Sequence, residues 1–410
     1  MKKRVLGLFL VITMVMTMLT GCGATGEKSS EEAATEINLE NLLGTTNSEY
    51  KVALITDYGD ITDQSFNQTT YEACKTFCAK NCVEFQYYKP DENSTKERIA
   101  SVKMAIEEGH NVIVMPGYSF GATIAEVSGK YTDVKFIALD VAEGDLLEAG
   151  VALAGEQYDY NPANWKLEDY IYMDNVYCAI YREELSGYMA GYAAVKMGYT
   201  KLGFLGGMSV PVVMRFGYGF IQGADAAATE MGINNVDIKY AYGNQFFGDN
   251  DITKEMKAWY KSGTEVVFAC GGGIYSSAAE AAAKTGKKVI GVDTDQAAVI
   301  DAAYGEGLTV TSAMKGLYPT TMDTLSDVIL NGNWSNYAGK ITTLGLVSKD
   351  VELNYVQLPL ESTQWTNDFT KEDYTALVGM IYDGTVQISD DVSKEPAVKA
   401  VRVQNLGNLK

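Results

Sequence analysis

Hydrogen-bonding side chains and one aromatic ring are concentrated directly after the first apolar run downstream of the N-terminal region. The run is KVALI, residues 51–55, and the stretch that follows it is TDYGDITDQSFNQ, residues 56–68. Carboxylates accept hydrogen bonds from vicinal hydroxyl groups, and an aromatic ring such as Phe66 can stack on a flat heterocycle. An aspartate at a strand–helix junction can equally be a helix cap, and a ring at a first helical turn can be a packing residue. The candidates in this stretch are Asp57, Asp63, Ser65, Phe66 and Asn67.

Similar groups follow several of the later predicted strands. Carboxylates occur at Asp140 and at Asp293 with Asp295, and aromatic rings occur in PGYSF (residues 116–120) and GNQFFG (residues 243–248). Ligands of open α/β sheets bind beyond the carboxyl ends of the strands, and glycines there let backbone amides approach a ligand closely. These groups suit a small, largely neutral ligand with a flat part and a polyhydroxyl part. The candidates are Phe120, Asp140, Phe247, Gly271, Gly273, Asp293, Asp295 and Lys315.

Short apolar runs are predicted to be the strands that position these groups. Several are rich in valine and isoleucine without alternation, which is typical of parallel strands buried on both faces. Amphipathic helices are expected between them, and the helix after the first strand is expected to begin with a capping box formed by Ser65 and Gln68. The predicted strands are 51–56, 83–88, 111–115, 134–139, 171–179, 201–205, 236–242, 265–270, 288–292 and 308–314.

This alternation of strands and helices occurs twice, over about 51–180 and about 200–300, with a helix predicted at 182–198 between the two runs. The pattern predicts an α/β protein of two doubly wound domains joined by crossing segments, with a ligand cleft between them. Residues 155–170 are predicted to be a surface loop, and the chain is expected to end in a polar tail.

Late segments of such a two-domain protein are expected to return to the first domain. We therefore predict an N-terminal lobe of residues 50–198 and 310–345 and a C-terminal lobe of residues 199–309 and 346–410.

Composition excludes several classes of protein. The chain has 410 residues, 47% of them hydrophobic, and a formal net charge of −20. Such an acidic chain is unsuited to nucleic acid, since phosphate binding needs a basic surface, and to electrostatic attachment to anionic lipid. The single histidine, His110, nearly excludes a histidine-dependent triad or a multi-histidine metal site. It is predicted to be a solvated turn residue. We expect no catalytic residue, metal or cofactor.

The first residues predict the compartment. A positive n-region, Lys2 to Arg4, precedes an apolar run at residues 5–19 that is too short for a membrane span and is typical of a signal peptide. The run ends in LTGC, which resembles the bacterial lipobox, so residues 1–22 are predicted to be a lipoprotein signal with Cys22 as the lipidated residue. Residues 23–49 have the composition of a flexible tether. We therefore expect lipid anchoring at the extracytoplasmic face of the cell membrane. A plain secretory signal with a chance cysteine is the alternative.

Three of the other cysteines, Cys74, Cys78 and Cys82, have helical i, i+4 spacing. A metal site or an intrahelical disulfide is open to them, but small apolar packing is the prediction.

The motifs in their order resemble one known family. DYGDITDQSFN, residues 57–67, resembles the D-x-G-x-x-x-D-x-S-F-N signature of the basic membrane protein (BMP/PnrA-like) lipoproteins, which are substrate-binding proteins of nucleoside ABC transporters. The likeness continues in GYSF (117–120), FIALD (136–140), VIGVDTDQ (289–296) and SAMKG (312–316). It spans about 51–345.

The resemblance implies a type I periplasmic-binding-protein fold that closes on a purine nucleoside. It implies that Asp57, Asn67 and Asp140 hydrogen-bond the base and that Asp293 and Lys315 hold the ribose. Two aromatic rings are implied to stack on the base. One is Phe66, and the other is Phe247, although Phe246 stands next to it. Permease subunits of an ABC importer are the implied partners.

Other functions remain open at this point. Some relatives bind riboflavin, so a sugar, riboflavin or another small ligand is an alternative, as is a sensor or adhesin of the same fold. A lipid-anchored nucleoside hydrolase is a rival from another class. A calcium-dependent hydrolase would carry a D-x-D-x-x-x-D-D cluster near its N-terminus, and this sequence does not.

Overall fold

The computed structural model describes residues 49–410, so the predicted lipobox, Cys22 and all of the tether before residue 49 lie outside the described residues. The strands in chain order are β1 (Lys51–Ile55), β2 (Glu84–Tyr88), β3 (Val112–Pro116), β4 (Lys135–Leu139), β5 (Val176–Tyr181), β6 (Lys201–Gly206), β7 (Val236–Tyr242), β8 (Val266–Cys270), β9 (Lys288–Asp293), β10 (Thr309–Lys315), β11 (Lys340–Leu344), β12 (Val356–Gln357) and β13 (Val401–Asn408).

Helices connect most of these strands, as the alternating pattern predicts. They are α1 (Phe66–Asn81), α2 (Thr95–Glu107), α3 (Phe120–Val127), α4 (Glu143–Leu153), α5 (Glu183–Lys196), α6 (Pro211–Met231), α7 (Asn250–Lys261), α8 (Tyr275–Thr285), α9 (Ala297–Tyr304), α10 (Leu317–Leu325) and α11 (Lys371–Tyr382). A turn of π-helix, Ser326–Leu330, continues α10. No helix among residues 49–410 is long and apolar enough to cross a membrane.

The strands form two sheets, and the order β5-β4-β3-β1-β2 in the first corresponds to the order β10-β9-β8-β6-β7 in the second. The first sheet is all parallel, in the order β11-β5-β4-β3-β1-β2. The second has the order β12-β10-β9-β8-β6-β7-β13, and only the short pairing of β12 with β10 is antiparallel. In each sheet the first strand lies between the second and third, which places a crevice for ligands beyond its carboxyl end. The fold therefore confirms the two doubly wound α/β lobes.

The central strands are buried on both faces, which explains their continuous apolar sequences. Val112–Pro116 of β3 and Val266–Cys270 of β8 contain no exposed position. Parallel strands covered by helices on both sides bury every side chain, so alternation with polar residues is lost.

Three crossing segments join the lobes, at residues 181–183, 315–317 and 344–356. Two parts of the predicted N-terminal lobe were assigned wrongly. Strand β10 pairs with β9 in the second sheet. Helix α5 packs against α6, β10 and β12, so it also lies in the second lobe. The chain returns to the first lobe at α10, which packs against α1.

Close helix packing explains the position of α5. A Cβ atom on Gly187 would lie 2.1 Å from the carbonyl oxygen of Phe216, and one on Gly219 would lie 2.1 Å from that of Glu184. Only glycine permits this approach of two backbones. The two helices therefore pack closely directly after the first crossing segment.

Some peripheral elements also differ from their prediction in type or in bounds. The predicted polar tail contains helix α11 and strand β13. The strand predicted at 171–179 is β5, which begins at Val176. The predicted loop at 155–170 holds two short 3-10 turns, at Pro162–Asn164 and Leu167–Asp169. His110 is buried, with an exposed fraction of 3%, and packs edge-on against Tyr88 rather than facing solvent.

Candidate ligand-binding site

A cavity of about 420 Å³ lies between the carboxyl ends of the two sheets. The first lobe lines it with the loop after β1, with the residues after β3 and with Asp140 at the end of β4. The second lobe contributes the start of α6, the loop after β7, the glycines after β8, and the ends of β9 and β10. Its volume lies in the range of small-molecule sites.

The loop after β1 is shaped by its own aspartates. The Oδ1 atom of Asp57 accepts hydrogen bonds from the backbone N–H groups of Tyr58 and Gly59, each at 2.7 Å. Asp63 accepts from the backbone N–H groups of Ser65, Asn67 and Gln68. Asp63 therefore caps α1, and the predicted capping box of Ser65 is wrong, because the Ser65 side chain makes no cap hydrogen bond.

Burial raises the pKa of the Asp63 carboxyl to about 6, although the backbone donors lower it. All four of its donors, these three backbone groups and the side-chain amide of Asn67, belong to its own loop and helix, so Asp63 lines the cavity as a structural residue.

Ser65 has a different contact that joins the lobes. Its buried hydroxyl donates to Oδ2 of Asp293 at 2.6 Å. The side-chain amide of Gln296 donates to the backbone carbonyl of Gln64 at 3.0 Å nearby. The start of α1 is thus bonded to the segment after β9, and the two lobes meet at the inner end of the cavity.

Phe66 and Asn67 present the first turn of α1 to the cavity. The Phe66 ring is half-buried, and the Lys315 ammonium lies 4.7 Å from its centre, in cation–π range. The side-chain amide nitrogen of Asn67 donates to Asp63 at 3.2 Å. The buried Oδ1 atom of Asn67 makes no hydrogen bond within residues 49–410, so it can accept one from a ligand.

A buried cluster of charges forms the inner wall. Asp140 at the end of β4 and Asp293 at the end of β9 occupy equivalent strand positions, and both have left-handed φ angles, 61° and 66°. The Lys315 ammonium bonds Asp140 and lies 3.7 Å from Oδ1 of Asp293 and 3.9 Å from Oε1 of Glu183. These four side chains are nearly or completely buried.

The pKa values of this cluster reflect burial and pairing. Burial lowers the pKa of Lys315, but the carboxylates of Asp140, Asp293 and Glu183 raise it more, so the ammonium stays charged. Burial raises the pKa of Asp293 against the lowering effect of Lys315. Burial also raises the pKa of Glu183 to about 7, although Arg215 donates to it at 2.6 Å and lowers it.

Two oxygens of the cluster have no hydrogen-bond partner among the described residues, Oδ1 of Asp140 and Oε1 of Glu183. A buried polar atom without a partner is costly. Of these two residues only Asp140 lines the cavity. A ligand that donates hydrogen bonds from hydroxyl or N–H groups would satisfy it.

The second lobe supplies two adjacent rings that line the cavity, Phe246 and Phe247. A Cβ atom on Gly207 or Gly271 would lie within 2.8 Å of the Phe246 ring, so the ring packs against two glycines. Phe247 has an exposed fraction of 53% and pairs with Gly273 through a backbone bridge. Both predicted glycines, Gly271 and Gly273, line the cavity.

Three of the predicted residues do not line this cavity. Phe120 is fully buried in the core of the first lobe, on the first turn of α3. Asp295 accepts a hydrogen bond from the backbone N–H of Ala297 at the start of α9. Ser65 contacts Asp293 instead. The predicted residues that the structure brings together are Asp57, Asp63, Phe66, Asn67, Asp140, Phe247, Gly271, Gly273, Asp293 and Lys315.

Several cavity residues were missed. Tyr58 and Tyr118 stand inside the motifs DYGD and GYSF, so their positions were available as a signal. Phe216 belongs to the apolar pattern of α6, which gives no sign that one ring faces a cavity. Glu183 and Arg215, which support the charge cluster without lining the cavity, gave no signal, since their pairing depends on how α5 meets α6.

The two-lobed fold with a polar and aromatic cavity between its sheets is that of the type I periplasmic-binding proteins. Solved structures of this class share it. A solute-binding protein from Conexibacter woesei has a TM-score of 0.58 at 19% identity, covering 83% of this chain and 99% of that chain. Another, from Aeropyrum pernix, has a TM-score of 0.59 at 20% identity, covering 84% and 88%. These likenesses establish the type I periplasmic-binding-protein fold.

Residues 50–390 match the family described as ABC transporter substrate-binding protein PnrA-like, and the chain belongs to that family. It is 27% identical to the ABC transporter nucleoside-binding protein BmpA of Lactococcus lactis over 310 residues, which cover 72% of this chain and 75% of that protein. It is 28% identical to basic membrane protein A1 of Borrelia garinii over 251 residues, covering 60% and 64%. The family consists of solute-binding proteins rather than enzymes, and membership implies a small-molecule ligand and a permease partner.

Proposed function

We propose that this protein captures a purine nucleoside in the cleft between its lobes and delivers it to the permease of an ABC importer. The observation that carries the proposal is the composition of the cavity. It combines aromatic rings from both lobes with a buried wall of hydrogen-bond acceptors that surrounds the Lys315 ammonium. The relative from Lactococcus lactis, a nucleoside-binding protein by name, supports the same assignment.

The base is assigned to the aromatic part of the cavity. Phe66 from the first lobe and Phe247 from the second are the proposed stacking rings, with Phe246 supporting the second side. Stacking is tolerant of ring identity, so hydrogen bonds must select the purine. We assign this role to Asn67, whose Oδ1 is unpartnered within the described chain, and to Asp57 beside it.

The ribose is assigned to the inner wall. Vicinal hydroxyl groups donate well to carboxylates, and Asp293 and Asp140 both line the cavity. The family resemblance assigns Asp140 to the base, but it lies with Asp293 around Lys315, so we propose that it binds the ribose instead. Lys315 can donate to a ribose oxygen and keeps the two carboxylates from repelling each other, because it lies against both. A ligand phosphate would face Asp57, Asp140 and Asp293 at close range, so the uncharged nucleoside is favoured over the nucleotide.

Anchoring is proposed from the sequence. The lipobox ending at Cys22 would hold the protein to the extracytoplasmic face of the cell membrane through lipid, and residues 23–49 would act as the tether.

Calorimetric titration tests the proposal. The purified protein, unfolded and refolded to remove carried-over ligand, is titrated with guanosine, inosine, adenosine, the free bases, ribose, riboflavin and guanosine monophosphate. We expect the purine nucleosides to bind most tightly, with the monophosphate and ribose far weaker. Tightest binding of riboflavin or of a sugar would overturn the nucleoside assignment. Release of free hypoxanthine during prolonged incubation with inosine would overturn the assignment as a binding protein without catalysis.

A further inference from the structure

The segment after the family match is built into the second lobe. The match ends at residue 390, yet residues 401–408 form β13, which pairs in parallel with β7 along most of its length. Asp225 fixes the approach to β13 by accepting from the backbone N–H groups of Lys399, Ala400 and Val401. Arg402 pairs with Asp237 at 2.7 Å.

The end of this segment reaches the loop that carries the two cavity phenylalanines. The backbone N–H of Leu409 donates to the carbonyl of Tyr242, the last residue of β7, at 2.8 Å. The Lys410 ammonium then donates to Oε1 of Gln245 at 3.1 Å and forms an ion pair with Asp249.

Gln245 and Asp249 hold the loop at both ends. The side-chain amide of Gln245 donates to the carbonyl of Phe247 at 2.8 Å and to Asp249 at 3.0 Å. Asp249 caps α7 by accepting from the backbone N–H groups of Asp251 and Ile252. Phe246 is held from the other side, where its carbonyl accepts from the backbone N–H of Gly273 at 2.8 Å.

We propose that residues 401–410 form a clamp on the loop of residues 243–249, and that Lys410 is a positioning residue for the aromatic side of the ligand cavity. The clamp lies outside the set of residues that line the cavity. It acts through Gln245 and Asp249, which set the path of the backbone at Phe247. A cavity whose stacking ring is held in place before binding loses less conformational entropy when the ligand arrives. The inference rests on the proposed function for the identity of the ligand, but not for the clamp itself.

Three variants of the full chain test the clamp. Lys410→Met removes the ammonium and keeps much of the side-chain length. Lys410→Arg keeps the charge and the donors. Lys399→Met is the matched control, because it removes a positive charge from an exposed position of the same segment. Lys399 lies just before the first residue of β13, at the end of the strand that is far from the loop.

Hydrogen–deuterium exchange is measured without ligand on peptides that cover residues 243–252. Lys410→Met is expected to speed exchange at the amides of Asp251 and Ile252, since their acceptor loses its ion pair, while Lys410→Arg and Lys399→Met match the wild type. Guanosine affinity is expected to fall about two- to fivefold in Lys410→Met, the factor that corresponds to a partly exposed ion pair, and the midpoint of thermal unfolding is expected to fall by no more than about 4 °C.

Unchanged exchange in Lys410→Met would overturn the clamp. Faster exchange with unchanged guanosine affinity would overturn the positioning role, as would a loss of affinity that Lys410→Arg does not restore. If the wild-type protein binds no nucleoside, the proposed function fails, and the exchange comparison still decides whether the clamp exists.

Discussion

Replacing Asp293 by asparagine isolates one charge of the inner wall. Asp293 has a φ angle of 66°, a left-handed conformation that asparagine adopts far more readily than alanine. The amide has nearly the shape of the carboxylate, and its oxygen can still accept the hydrogen bond from Ser65. Lys315 keeps its ion pair with Asp140. Asp293→Asn therefore changes the charge and leaves the contacts between the lobes in place.

The expected loss follows from the contacts of the carboxylate. Oδ2 accepts from Ser65 at 2.6 Å, whereas Oδ1 faces Lys315 at 3.7 Å, so a ligand hydroxyl can approach Oδ1. A hydrogen bond to a charged group contributes about 1.5–3 kcal/mol, which is about tenfold to a hundredfold in affinity. A nucleoside should lose this amount. A free base has no ribose hydroxyl to donate, so its affinity should change by less than about threefold.

The assay is calorimetric titration of each variant with guanosine and with guanine. Asp295→Asn is the matched control, since Asp295 lies two residues further on and, within residues 49–410, accepts only from the start of α9. It should bind both ligands like the wild type. Equal weakening of base and nucleoside in Asp293→Asn, or the same loss in Asp295→Asn, would refute the placement of the ribose against Asp293.

Three further predictions concern other parts of the chain. Phe66→Ala should weaken guanosine and guanine alike by about tenfold to a hundredfold in the same titration, and a loss confined to the nucleoside would contradict base stacking. Folding raises the pKa of Glu183 to about 7, so between about pH 5 and 7 the folded state binds a proton that the unfolded state has lost. The free energy of unfolding should therefore fall as the pH rises through this range. Denaturant unfolding of Glu183→Gln across this range should show a shallower slope, and an unchanged slope would exclude Glu183 as a source. Cys22→Ala should release the protein from the membrane fraction, and incorporation of labelled palmitate into that variant would disprove the lipobox.

The central strands were predictable because each is a continuous run of apolar residues, which indicates burial on both faces of a sheet. Continuous runs such as VIVM in β3 and VVFAC in β8 need no knowledge of their neighbours. The strands missed were those at sheet edges. In β13, seven of the eight residues are not buried, so the hydrophobic signal is absent, and pairing with β7 supplies the backbone hydrogen bonds that make it a strand.

The site residues at the ends of strands could be predicted from the sequence. The roles of residues at the start of a helix were harder to predict, because neighbouring side chains compete to cap the helix. Asp293 and Lys315 each end a strand and Asp140 directly follows one, so topology alone brings them together. Ser65 was predicted to cap α1, but Asp63 caps it. Both side chains can cap a helix, and only the path of the backbone decides which of them reaches the N–H groups. Phe120 matched a family motif, yet its ring points into the core at the first turn of α3.

The contacts of Asp293 link ligand binding to the arrangement of the lobes. Its carboxylate accepts from Ser65 of the first lobe while belonging to β9 of the second, and it also lines the cavity. Opening the cleft would break this bond and the one between Gln296 and Gln64, and would expose a buried carboxylate and ammonium to water. A ligand that donates to Asp293 and Asp140 satisfies acceptors that only the closed arrangement brings together around Lys315. An equilibrium shifts only by the difference in affinity between its states. We therefore expect these shared acceptors to make closure favourable for ligands that carry hydroxyl groups at the right spacing, whereas a bare aromatic ring would have stacking alone.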